Sequence, residues 1–265
     1  MRTSSTTAGK YSVDIFLSLA VCCLLLFSGC GLDEYYVVEG PVTSNHTPSV
    51  SDTKSLGYDM RYFDFITRDS DNAALSGSGF NYLGTAVYYK IYNNYSTMNT
   101  ASSAITSLNS STSYSAAADK MIDTYGYREL STTSGTPSPL IPAGSNDRRI
   151  YIRLMNYQDS EYTAKIIIGY NGDISVAGTS VPLRNISGTH SFDFGRTTIN
   201  PDLNKVPVNG DIDVNYSSSF SDTDKKFWYV DLFAVAVGRD TTYTKYYSKV
   251  LHLGSVYINT ADEDN

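Results

Sequence analysis

Two stretches of this chain restrict the folds open to it. FNYLGTAVYYKIYNN, residues 80–94, alternates Ala86, Tyr88, Lys90 and Tyr92 against Val87, Tyr89 and Ile91. Side chains two apart share one face of a strand, so this segment reads as a central strand covered on both faces. KFWYVDLFAVAVGRD, residues 226–240, is also apolar on both faces. Shorter strand candidates surround these two. YDMRYFDFITR is rich in aromatics and ends in the polar turn DSDN. RRIYIRLMNY sets Ile150, Ile152 and Leu154 against Tyr151 and Arg153, and YTAKIIIGYNGDISVAG carries Asn171-Gly172, a strong hairpin signal. VPLRNI, THSFDFG, GDIDVNY and TKYYSKVLHLGSVYI complete the set. About ten strands with closely spaced turns predict a mainly β protein, an antiparallel β-sandwich, with a closed β-barrel as the alternative.

The period changes between Ser96 and Tyr125. Met98, Ala101, Ile105 and Leu108 recur at helical spacing, and Tyr114, Ala117, Met121 and Ile122 continue after a serine-rich break. Residues 96–125 therefore predict two short amphipathic helices inserted in the sandwich and packed on it, with Ser96 as the N-cap. The proline-bearing stretch STTSGTPSPLIPAGSNDR predicts a surface loop or a cover over a sheet edge. Phe-Asp-Phe occurs twice, at 63–65 and 192–194, a string too short to establish a duplicated half.

The N-terminus has another character. Arg2 and Lys10 precede IFLSLAVCCLLLFSG, residues 15–29, which hold no charge. That run is too short for a spanning helix, which needs about 20 apolar residues, and fits an export signal. Its end, FSGC, resembles the bacterial lipobox, in which small residues precede a cysteine that is lipidated and becomes the first residue after cleavage. The resemblance implies cleavage after Gly29 and lipid on Cys30; Phe27 departs from the leucine usual at its position. Cys22 and Cys23 fit less well, since Val21 and Cys22 would precede the cut. The whole chain resembles spirochaetal lipoproteins of unknown function, with CGLDEYY after the lipobox and VYYKIY leading into a Ser/Asn-rich helix. YLGTAVYYKIYNN and the stretch from Phe227 to Leu253 resemble, loosely, strands of fibronectin type III and immunoglobulin-like sandwiches, a family the helical insertion departs from. The expected organisation is a signal peptide at 1–29, a lipidated polar tether at 30–55 and a β-sandwich domain at 56–265. The expected location is the bacterial cell envelope, most of all the outer membrane, facing the periplasm or the outside.

Composition narrows the chemistry. Of 20 basic and 27 acidic residues, the signal would remove Arg2, Lys10 and Asp14, leaving 18 and 26 and a net charge of −8. That disfavours nucleic acid and anionic lipid surfaces as partners. Past Cys30 there is no cysteine, so no disulfide, thiol nucleophile or Cys-based metal site is expected. His46, His190 and His252 form no HExxH motif, there is no GxSxG elbow, and Gly77-Ser78-Gly79 reads as a turn. Asp69/Asp71, Asp211/Asp213 and Asp222/Asp224 could give a cation oxygen ligands or serve glycoside hydrolysis; solvated turns are the simpler reading. Asp231 interrupts an apolar strand and needs a partner if buried, with Arg153 or Arg184 as candidates. Twenty-three tyrosines against ten phenylalanines suit strands with one wet face, or a recognition surface. No catalytic residue, metal or cofactor is expected. The chain reads as a membrane-anchored, non-enzymatic binding or structural module with a protein or glycan ligand; the alternative is a carboxylate-based enzyme acting on glycans.

Overall fold

The structure is a computed structural model that describes residues 36–259 except 78, 136, 158–161, 173–179, 196–204 and 219–226. Cys30 and the expected signal lie outside the described residues, as do Asp222 and Asp224. Thirteen strands occur among the described residues: β1 Val42–Thr43, β2 Phe63–Ile66, β3 Phe80–Tyr92, β4 Arg128–Glu129, β5 Ser131–Thr132, β6 Ile141–Pro142, β7 Arg149–Arg153, β8 Lys165–Ile168, β9 Pro182–Leu183, β10 Val214–Asn215, β11 Phe227–Asp240, β12 Lys245–Tyr247 and β13 Leu251–Asn259. The helices are α1 Val50–Ser55, α2 Asp69–Ala73, α3 Tyr95–Ser107 and α4 Ala116–Asp119, the last continued by a wide turn over Lys120–Thr124.

The long strands β3 and β11 are the spine. They pair antiparallel from Tyr92↔Tyr229 to Phe80↔Asp240. β13 and then β12 follow the far edge of β11, while β4 and β6 run antiparallel along β3. β10 departs from the antiparallel pattern by pairing parallel to the end of β3. This seven-stranded sheet faces a four-stranded one ordered β1-β2-β7-β8. The architecture is an antiparallel β-sandwich, and no barrel closes among the described residues.

The alternation read from the sequence sets the layers. Val87, Tyr89 and Ile91 of β3 join Val230, Leu232 and Ala234 of β11 between the sheets, against Phe63, Phe65, Ile150 and Ile152. Trp228 is buried in the same cluster. The opposite face, with Ala86, Tyr88, Tyr92, Phe233 and Val235, packs on Met98, Ala101, Ile105, Ala117 and Met121 of the helical insertion. The spine is therefore covered by a sheet on one side and by helices on the other.

Some expectations are corrected. The fold starts earlier than position 56, because the compact unit begins at Tyr36. Val38 is buried, β1 pairs with β2, and the Ser255 N–H donates to the Pro48 carbonyl at 3.0 Å. Two polar-looking segments thus complete sheet edges that would otherwise stay unpaired. The cap of α3 is Asn94, whose side chain accepts the Thr97 N–H at 3.0 Å, so Ser96 lies inside the first turn. THSFDFG is no strand: only a bridge between Arg184 and His190 forms, while Phe192 and Phe194 are buried in the sandwich core. The two Phe-Asp-Phe strings thus differ in backbone structure. The proline-bearing loop does cover an edge, with β6 lying along β3; Pro142 is tolerated there as an edge residue.

Ile105→Ala should cost about 2–5 kcal/mol, because the helical layer has no other way to fill that volume. The exposed neighbour Ser103→Ala should change stability by less than about 0.5 kcal/mol. Urea unfolding of the two variants measures both.

Candidate functional site

Buried tyrosine hydroxyls end on buried carboxylates. Tyr82 donates to Asp69, Tyr89 to Asp213 and Tyr127 to Asp231, at 2.8, 2.8 and 2.7 Å. Part of the tyrosine excess therefore serves a dry interior. Burial raises the pKa of each of the three tyrosines, and the neighbouring carboxylates add to the effect.

Asp231 is fully buried on the helical side of β11. Its partner is not an arginine. Oδ2 accepts from Ser102 of α3 and from Tyr127, both at 2.7 Å, and Oδ1 meets His252 Nε2 at 2.7 Å. Arg153 instead donates to the Asp59 carbonyl, and Arg184 clamps Asp211 and Asp213. Strand parity explains the difference. Asp231 points to the helices with Phe233, whereas Arg153 alternates with Ile150 and Ile152 and so leaves the far face of the other sheet.

His252 reaches Asp231 through a register shift. Leu232 pairs with Gly254 but Phe233 pairs with His252, so Leu253 is the extra residue. Gly254 takes φ +103°, and a Cβ there would lie 2.1 Å from the Pro48 carbonyl oxygen. The imidazole stacks on Phe233 at 4.7 Å and its side chain is 34% exposed. Burial lowers its pKa, but the Asp231 charge and hydrogen bond outweigh that, and the net shift is upward from 6.5. This is not a nucleophile–base relay. Ser102 donates to the carboxylate and not to the imidazole, so no base draws a proton from its hydroxyl.

The two described carboxylate pairs do not converge on open sites. Asp211 and Asp213 share Arg184, and Lys205 adds to Asp211. Asp69 is buried against Thr67, Tyr82 and Arg148, whereas Asp71 pairs with exposed Arg68. His46 stacks on Tyr62. Among the described residues no group of three or more His, Cys, Asp or Glu could hold a metal.

An open cleft of about 310 Å³ lies where β3 begins and β11 ends. Phe80 and Asn81 face Asp240 and Arg239 across the spine, the loop at Gly77 and Gly79 forms one rim, and Thr241 and Tyr243 form the other. The Thr241 N–H donates to the Gly79 carbonyl at 3.1 Å and ties the rims together. Gly238 makes room for Phe80, since a Cβ there would sit 2.1 Å from its ring. Asp240 builds the turn into β12. Its Oδ1 accepts the N–H groups of Thr242 and Thr244 and the Thr242 hydroxyl, and Oδ2 accepts from Tyr246. These hydrogen bonds, that of the Thr242 hydroxyl foremost, hold the carboxyl below its ordinary pKa.

Tyr243 is the exceptional residue of this turn. It has φ +66° and is the one non-glycine with positive φ among the described residues. The residue is 75% exposed, with the Arg239 guanidinium 5.1 Å from the ring centroid. Left-handed backbone costs a non-glycine residue about 1–2 kcal/mol. The cleft thus offers an aromatic platform, a cation, an amide and glycine backbone, while its one lining carboxylate is occupied by the turn. Such a set can hold a ligand but supplies no acid–base pair. Reading the sequence missed Tyr243; the signal was Asp-Thr-Thr-Tyr-Thr between two strands. Compared with family models, with curated proteins and with solved structures, the chain finds no match.

Asp231→Asn should lower stability by about 2–4 kcal/mol, because Ser102, Tyr127 and His252 lose the buried carboxylate they share. The wild-type His252 contribution is fully present below pH 6.5 and is lost as pH rises through the raised folded value. Thermal unfolding across pH should show that loss in wild type and a flatter profile in His252→Gln.

Proposed function

We propose that this chain is an envelope lipoprotein, anchored by lipid on Cys30, that acts as a non-enzymatic binding module for a glycan. The FSGC stretch and the short uncharged run before it support the anchor. The observation that carries the ligand assignment is Tyr243: an exposed ring, held in a backbone conformation that glycine would adopt at lower cost, at the mouth of a cleft. Strain retained at an exposed position points to function, since the fold alone would favour its relief. A flat aromatic face suits the C–H face of a sugar ring, and Asn81 with the backbone of Gly77 and Gly79 suits its hydroxyls. A cleft of about 310 Å³ fits a small ligand or one end of a chain better than a protein surface.

Tyr243→Gly is the direct test. The variant should gain about 1 kcal/mol of stability by removing left-handed strain, and should lose retention on an array of cell-surface and cell-wall glycans. A stabilised variant that keeps its glycan binding would remove the cleft from the function. For the anchor, Cys30→Ser should shift the protein from the detergent phase to the aqueous phase in Triton X-114 partition.

A further inference from the structure

We infer that the ligand of this cleft is an acidic saccharide, one that carries a carboxylate on its sugar ring, and that Arg239 reads that charge. The inference rests on the glycan assignment above. Arg239 lines the cleft, and its guanidinium forms no hydrogen bond or ion pair with any described residue; it lies against the Tyr243 ring. The arginines of the fold's ion clusters differ. Arg148, Arg149 and Arg184 are each paired to aspartate. Asp240 is next in sequence, but its carboxylate is filled by Thr242, Thr244 and Tyr246.

The register adds two neighbours. Arg239 pairs with Lys245 on one side and Asn81 on the other, so the three lie in one row across β12, β11 and β3. On a chain of net charge −7, this row concentrates positive charge and amide donors beside an exposed aromatic ring. A guanidinium presents a planar fork of donors that matches a carboxylate, and contact with the ring holds that fork in place with its donors unspent. A neutral sugar would use the ring and Asn81 and leave the charge unmatched. A uronate would use all three.

The test is calorimetric titration of the full chain in detergent with a galacturonate pentamer and with the same pentamer after carboxyl reduction. The acidic pentamer should bind about tenfold tighter, the margin expected of charge-assisted hydrogen bonds, and the margin should shrink as salt is raised. Arg239→Gln should erase the margin, Arg239→Lys should restore part of it, and Tyr243→Ala should weaken both ligands. Equal binding of the two pentamers, unchanged in Arg239→Gln but lost in Tyr243→Ala, would overturn the acidic inference and leave the glycan cleft standing. Binding of neither pentamer at millimolar concentration would overturn both.

Discussion

Strands β3 and β11 carry apolar side chains on both faces along most of their length, and water has to be kept from both. That requirement organises the molecule. One face is covered by the four-stranded sheet through Phe63, Phe65, Ile150 and Ile152. The other is covered by the helical insertion through Met98, Ala101 and Ile105. Asp231 lies inside this doubly covered ladder, so its charge needs partners from the covering layer itself, and Ser102 comes from α3 for that purpose. The covering stops where the ladder ends. At Arg239 and Asp240 the side chains are only partly buried, and the cleft opens there.

What the sequence showed plainly was whatever depends on near neighbours. The alternation through Ala86–Tyr92 predicted two covered faces, and the spacing of Met98, Ala101, Ile105 and Leu108 predicted the helix that covers one of them. The edges were harder to read. Val42–Thr43 and Ile141–Pro142 are two-residue strands without a pattern of their own, defined by the longer strands beside them. The partner of Asp231 was hidden for a geometric reason. His252 faces it only because Leu253 is bulged out and Gly254 takes a backbone angle that sequence spacing does not announce. Tyr243 was harder still, since its conformation follows from hydrogen bonds that Asp240 accepts within one turn.

The two polar centres of the spine have different characters. The Asp231 cluster is a closed account of donors and acceptors, reaching the surface only through the edge of His252. It ties α3 to β11 and β13. The cleft is open, with an unspent cation and an exposed ring, and its carboxylate is committed to the turn. The proposed recognition site thus lies at the end of the sheet, where a loop can bear strain without disturbing the core.

The tyrosine–aspartate pairs of the interior have one more consequence, at high pH. A phenylalanine core is indifferent to alkali. This core is not, because the ionisation of Tyr89 or Tyr127 would set a phenolate against a buried carboxylate. Both hydroxyls have folded pKa values well above the ordinary 10.0, so the folded state keeps protons that the unfolded chain gives up. Stability from these groups is intact below pH 10 and drains away above it. A chain built this way has an alkaline ceiling written into its hydrophobic core.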